Sequence, residues 1–228
     1  MNEGLTGELV ARQLDEQITQ RYPVGQRLRI LDAGMGRGAQ TLRLARAGHR
    51  VTGVESDPEL LAAAQAAVGG EPAGIQERVR LVAGDSRETG AQFLPGSFDV
   101  VLCHGVPSAD PDALLAGLAR MLAPGGLLSL LVRNADAAAM APGRAGDWSA
   151  ALAAVTAPDA VGAGRLDALT STLAGIGAPL SAWYGVGVFP GTDDVSPDRL
   201  AAEDRAGRTE PYRRVAERLH LCGVRGGA

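Results

Sequence analysis

Asp32, Gly34, Gly36 and Gly38 alternate with other residues in the stretch LDAGMGRGAQ, positions 31 to 40. Glycine inside regular structure costs roughly 0.5–1 kcal/mol relative to alanine. Three together mark either a tight, close-packed turn or a place where a ligand lies against the backbone. Two more acids are spaced to work with them: Glu55, 17 residues beyond Gly38, and Asp85 in VAGDS. A carboxylate at the first of these positions can accept both hydroxyls of a ribose. One strand further along, an acid can accept from the amino group of an adenine. Acids at three successive strand ends are costly to desolvate unless each has a ligand or an N–H partner. Asp32, directly before the glycines, would repel a pyrophosphate and suits an ammonium group.

Such residues need a frame that brings strand ends together. Leu9, Val10, Leu14, Ile18 and Tyr22 recur near 3.6 residues and predict an N-terminal helix over about 5–22, ended by Pro23 and Gly25. RLRILDAG is a strand, the glycines follow it, and AQTLRLARAG is a helix closed by Gly48. HRVTGVES is the second strand, and DPELLAAAQAAV the second helix of this series, with Asp57 as N-cap and Pro58 in its first turn. RVRLVAGD and FDVVLCHG are strands three and four. DPDALLAGLARML is a helix with the same Asp-Pro opening, and APGG turns it into LLSLLVRN, strand five. Apolar strands alternating with helices of this length imply βαβ units and a parallel sheet. Residues 135–164 break the rhythm: they are rich in Ala, Gly and Pro and lack a period, as a functional insertion or lid does. RLDALTSTLAGIGA then resumes as a helix, LSAWYGVGVF as a strand, and a charged helix runs from Asp198 to about Arg208 before a last strand. The expected fold is therefore α/β: one domain over 1–228, a Rossmann-like doubly wound sheet. It is mostly parallel, with an antiparallel C-terminal edge strand and helices on both faces.

Composition narrows the function. At 46% hydrophobic and 21% charged the balance is that of an ordinary globular domain. No apolar run approaches the ~20 residues of a membrane span, so no membrane partner is expected. The opening MNEGLTGE is acidic and polar, unlike a secretory leader, and Cys103 and Cys222 are too few for a disulfide framework. A cytoplasmic location is the expectation. His49, His104 and His220 lie far apart without Cys or carboxylate at ligand spacing, so no metal is expected. The net charge is −4, unevenly spread. From Arg199 onward seven arginines face Glu203, Asp204, Glu210 and Glu217, a local +3 that leaves −7 on the rest. Such a basic tail is either a partner-binding face or a solvated helix surface.

GMGRGA also satisfies G-x-G-x-x-A, which makes a nicotinamide or flavin dinucleotide a competitor. Against it stand Asp32 before the glycines, a separate acid on strand three, and the lack of a second nucleotide-binding half. The full pattern, D-x-G-x-G-x-G, Glu55 at the second strand end, Gly84-Asp85 at the third and LAPGGLLSL into the fifth, resembles class I S-adenosylmethionine-dependent methyltransferases over residues 28–133. The resemblance implies Asp32 near the methionine amino group, with Gly34, Gly36 and Gly38 beneath methionine and ribose. It puts Glu55 on the ribose hydroxyls, Ser56 beside the adenosine and Asp85 with Ser86 at the adenine. Cys103 and His104 would line the side of the reactive methyl.

The C-terminal half, with LLVRNADAAAM, YGVGVF and RLAAEDRAGRTEPYRRVAERLHL, is similar to tRNA 5-carboxymethoxyuridine methyltransferases, which esterify a carboxylate on a wobble uridine. It departs from them in lacking a basic run in the insertion, in reading VPS after strand four, in carrying Pro190-Gly191 after Phe189, and in placing Glu217 where an arginine is expected. Asn134, Tyr184, Tyr212 and Arg213 are the expected acceptor contacts, with Trp148 and Met140 in the lid. A carboxylate acceptor is already ionised, so this chemistry needs alignment more than a base. Two other readings stand beside the tRNA one: a methyltransferase for a small carboxylic acid or phenol, and a non-catalytic S-adenosylmethionine-binding module.

Overall fold

A computed structural model describes residues 3–88, 92–105, 111–156, 164–189 and 196–227. Five short apolar segments pair in parallel: β1 (Arg29–Ala33), β2 (Arg50–Glu55), β3 (Val79–Ala83), β4 (Phe98–Cys103) and β5 (Leu122–Arg133). β6 (Leu180–Val186) and β7 (Arg218–Val224) complete a seven-stranded sheet in the order β3-β2-β1-β4-β5-β7-β6. The direction of travel reverses between β1 and β4, and such a switch point is where an open α/β sheet leaves a crevice at its strand ends. The glycine loop follows β1 there.

Helices cover both faces because the strands are apolar on both. On β4, Val100 and Leu102 pack with Leu14 of α1 (Glu3–Arg21) and Leu44 of α2 (Ala39–Arg46). Val101 and Cys103 face the other way, toward Leu115 and Leu118 of α5 (Pro111–Met121) and Leu173 of α8 (Leu166–Gly175). The alternation is the period of two that a strand imposes. The helical period read at the N-terminus holds: Leu14 packs on that first layer, while Leu5, Leu9 and Val10 pack on Leu131 and Val186. Asp57 caps α3 (Pro58–Gly69), accepting from the Glu59 and Leu60 amides. The second Asp-Pro opening places Asp110 outside the described residues.

Three details go beyond the sequence reading. The closing pair is antiparallel as expected, but β7 lies between β5 and β6, so β6 forms the edge. APGG is taken into β5 as a bulge: Phe98 pairs with Leu122, and Val100 with Leu127. Short helices form where no period is readable. They are α4 (Ala73–Gln76) and, within 135–164, α6 (Met140–Arg144) and α7 (Trp148–Thr156). Trp148, Leu152 and Val155 are exposed on α7.

The last helix, α9 (Pro197–Ala206), buries Glu203, whose carboxylate accepts from the Val188 and Phe189 amides at 2.9 and 3.2 Å. Beside it the Gly185 amide donates to the Gly207 carbonyl at 2.8 Å. A Cβ at Gly185 would lie 2.7 Å from the Arg213 carbonyl oxygen and 2.8 Å from the Arg213 Cα. These neighbours are backbone and cannot swing aside, so Gly185→Ala should cost about 1–3 kcal/mol, the range for overpacking. Hydrogen exchange should speed up at the Arg213 and Ala216 amides, which bond within this segment. An unchanged melting temperature with unchanged exchange would contradict the close approach.

Candidate functional site

The glycine loop is built from left-handed turns. Gly34, Gly36 and Gly38 have φ of 74°, 58° and 79°, where a Cβ is strained. The Gly34 and Met35 amides both donate to the Val54 carbonyl, at 2.9 and 3.1 Å, which folds the loop back over β2. The Met35 side chain fills the space above Gly53, where a Cβ would overlap its sulfur. The three glycines serve two purposes. A Cβ at Gly38 would sit 3.2 Å from Ala64 Cβ of α3, a packing constraint. A Cβ at Gly34 or Gly36 would meet nothing within 4 Å, so these two border open space.

Glu55, at the end of β2, is nearly buried. One carboxylate oxygen accepts from the Gly36 amide at 2.8 Å; the other accepts from Ser56 and Asp57 at 2.9 and 3.0 Å. A carboxylate offers about four acceptor positions, so three are filled from the backbone and one remains. Asp32 is buried at the end of β1 and accepts from Thr41 Oγ1 at 2.7 Å. Burial pushes its pKa up to about 6; the Thr41 bonds pull it down and the Glu55 charge adds to the rise. Ser56 is exposed, its amide on Glu55. Asp85 and Ser86 are half-buried just beyond β3, where the Gly84 amide donates to the Glu55 carbonyl at 3.0 Å. Asp32, the three glycines, Glu55, Ser56, Asp85 and Ser86 thus lie along three adjacent strand ends.

The β4 end divides in two. The Cys103 side chain belongs to the core on the α5 side, and burial, with Asp32 nearby, pushes its thiol up to about 12. Only its backbone can border the crevice. His104 points to the α1 side and joins a buried polar chain. Its Nε2 is 2.9 Å from Ser129 Oγ, which is 2.8 Å from His220 Nε2, and His220 Nδ1 is 2.8 Å from Gln13 Oε1. Burial lowers the His104 pKa to about 4, with the Arg43 charge adding to it. His220 is pushed well below the ordinary histidine value by burial and by His104. Both rings are therefore neutral at neutral pH.

The residues expected at the acceptor do not converge. Asn134 is buried and holds the Tyr212–Val215 turn, donating to the Arg214 and Ala216 carbonyls at 2.9 and 2.8 Å. Arg213 lies 3.7 Å over the Trp183 ring and pairs with Glu210 at 2.9 Å. Tyr184, one residue on, faces the opposite side of the sheet, where its hydroxyl accepts from Gln17 at 2.6 Å. Tyr212 is exposed. Asn134, Trp183, Arg165 and Arg214 line a cleft of about 430 Å³ on the α8 side of β7. Thr41, Gly53, Ser129 and Gln13 were not singled out by the sequence. Signals existed: Ser129 interrupts the apolar run LLSLLV, and Gln13 and Gln17 sit four apart on the buried side of α1.

The strand order and the acid-flanked glycine loop define a Rossmann-like fold with a crevice at the β1, β2 and β3 ends. Residues 30–126 match a family model described as a methyltransferase domain, which bears out the resemblance to S-adenosylmethionine-dependent methyltransferases. The tRNA 5-carboxymethoxyuridine methyltransferase of Escherichia coli (strain K12) is 32% identical over 124 residues, 54% of this chain and 46% of that protein. The ubiquinone biosynthesis O-methyltransferase of Xanthomonas euvesicatoria pv. vesicatoria (strain 85-10) is 38% identical over 117 residues, 50% of this chain and 46% of that one. The chain thus spans about half the length of the curated relatives it matches. The fold is shared with magnesium protoporphyrin IX methyltransferase from Synechocystis PCC 6803 with bound S-adenosylhomocysteine. That likeness has a TM-score of 0.59 at 17% identity and covers 97% of this chain and 82% of that one.

Asp32 makes a pH-dependent contribution of its own. Its carboxyl holds a proton more tightly folded, with a pKa of about 6, than at the ordinary value of 3.8. The stability it lends is complete below about pH 4 and lost as pH rises through 6, on the order of 3 kcal/mol. Asp32→Asn keeps an acceptor for Thr41 and removes the titration. Chemical denaturation should therefore show the variant gaining on the wild type by roughly that amount between pH 4 and pH 7. A difference that stays constant across this range would contradict a buried, protonatable Asp32.

Proposed function

We propose that the protein is an S-adenosylmethionine-dependent methyltransferase that esterifies a carboxylate. Asp32 would receive the methionine ammonium, a cation for a site that otherwise buries two acids. The open sides of Gly34 and Gly36 leave room for methionine and ribose against the backbone, with Gly38 closing the turn. The remaining acceptor position of Glu55 takes a ribose hydroxyl, and Ser56, Asp85 and Ser86 border the adenosine. The Cys103 backbone and His104 flank the methyl side. Bound there, S-adenosylmethionine would supply a methyl on a sulfonium, the acceptor oxygen bonding to that carbon as the carbon–sulfur bond gave its electron pair back to sulfur.

The observation that supports the acceptor class is that His104, the histidine beside β4, is tied to the buried Ser129 hydroxyl. A phenol needs a base whose pKa lies near the working pH. His104, held near 4 and bonded to Ser129, is a poor base for that purpose. A carboxylate arrives ionised and needs none. What remains for the protein is alignment and exclusion of water, and we assign the latter to the insertion 135–164 with exposed Met140 and Trp148. To Asn134 and Arg213 we assign the bracing of that side, to Tyr184 the bracing of the opposite, α1 face, and to Tyr212 a place on the exposed rim.

The similarity to a tRNA 5-carboxymethoxyuridine methyltransferase favours a wobble carboxylate as the acceptor. The charge of the C-terminal segment favours a small acid instead. Arg208 pairs with Glu16 and Asp204, and Arg213 and Arg214 share Glu210, which leaves less charge for phosphates. The test is transfer of labelled methyl from S-adenosylmethionine to small carboxylic acids, phenols and tRNA bearing 5-carboxymethoxyuridine. Esters release the label in mild alkali. The expected product is an alkali-labile ester; alkali-stable label on phenols alone would overturn the carboxylate reading. Gly36→Val should stay folded by circular dichroism yet neither bind S-adenosylhomocysteine nor transfer label, because its side chain enters the open side of the loop. Normal binding by this variant would reduce the glycines to a structural turn.

A further inference from the structure

A second, smaller cleft of about 230 Å³ opens on the α1 side of the sheet. Gly7 and Val10 of α1, Gln40 of α2, His104, Leu131 of β5 and Arg218 of β7 line it. Gln40 lies two residues beyond Gly38, and His104 directly follows β4, whose Leu102 is paired with Asp32. The cleft and the glycine loop therefore lie at the same end of the sheet, on the neighbouring strands β4 and β1. We propose that this cleft is the acceptor pocket for a small monoanionic carboxylate, with the Arg218 guanidinium as its anchor and Val10 and Leu131 as its apolar walls. The proposal rests on the methyltransferase reading and names the site of its second substrate.

Charge selects the anion. Among the described lining residues Arg218 is the one cation, and none is an acid. Its Nε is buried without a hydrogen-bond partner among the described residues, and the Glu217 carboxylate stands off at 3.9 Å. Arg208, Arg213 and Arg214, by contrast, each have a carboxylate within 3.1 Å. The other polar groups of the cleft are already engaged. Gln40 donates to the Gly7 carbonyl at 3.3 Å and accepts from Arg43 at 2.7 Å. Burial, with the Arg43 charge, keeps His104 neutral, so it neither cancels nor adds to the Arg218 charge. Size selects a small body, since drug-sized ligands occupy roughly 300–1,000 Å³.

The test uses benzoate as probe and benzamide as its neutral counterpart, titrated by NMR into the full chain saturated with S-adenosylhomocysteine. Arg218→Gln removes the charge. Gly7→Leu extends a side chain into the cleft from a position where a Cβ meets nothing within 4 Å, and leucine favours the helix. Benzoate should bind the wild type and weaken at least about tenfold in each variant, the scale of a lost charge-assisted hydrogen bond. Benzamide should be indifferent to Arg218→Gln, and S-adenosylhomocysteine affinity should stay within about twofold in both variants. Equal benzoate binding by wild type and Arg218→Gln, or no benzoate binding by loaded protein, would overturn the pocket alone. Failure of S-adenosylhomocysteine to bind would instead overturn the methyltransferase reading, and the acceptor role with it.

Discussion

The Glu55 carboxylate is the tie on which the crevice depends. Its hydrogen bonds to the Gly36, Ser56 and Asp57 amides join the glycine loop, the end of β2 and the entrance to α3 in one place. Each of those donors would cost about 1–3 kcal/mol if buried without a partner. The Gly34 and Met35 amides add bonds to the Val54 carbonyl. Packing supplies the rest, with Met35 seated over Gly53 and Gly38 against Ala64. The shape of the loop is therefore fixed by contacts within the protein.

That arrangement sets the electrostatics of its neighbour. Asp32 is buried within the field of Glu55, and only Thr41 offsets the lost solvation. Two acids in such proximity favour a cation, which would stabilise both charges at once. On the methyltransferase reading the ligand's ammonium fills that part. On the other side of β4 the sign reverses: neutral histidines and one weakly paired arginine line the α1 face. On the methyltransferase reading, a cationic donor group and an anionic acceptor would be sorted to opposite sides of β4.

What could be read from the sequence is what local spacing controls. Asp32, Gly34, Gly36, Gly38 and Glu55 lie within one βαβ unit, so their relation follows from the strand and turn that carry them. The α1 period and the Asp57 cap are local for the same reason. The His104–Ser129–His220–Gln13 chain is not local. It spans β4, β5, β7 and α1, and exists because β7 enters between β5 and β6. The same insertion sets the phase of β6 through pairs such as Tyr184 with His220. That phase sends Trp183 to one face and Tyr184 to the other, so the expected acceptor set divides. In 135–164, alanine carries too little contrast between faces for a helical period to show, although α6 and α7 form there.

The central claim is that the crevice accepts an adenosyl amino acid and rejects a dinucleotide. Isothermal titration calorimetry of the wild-type chain with S-adenosylhomocysteine and, separately, with NAD tests it most directly. The account predicts saturable one-site binding of S-adenosylhomocysteine and no comparable response to NAD. Tight NAD binding with no heat from S-adenosylhomocysteine would contradict it.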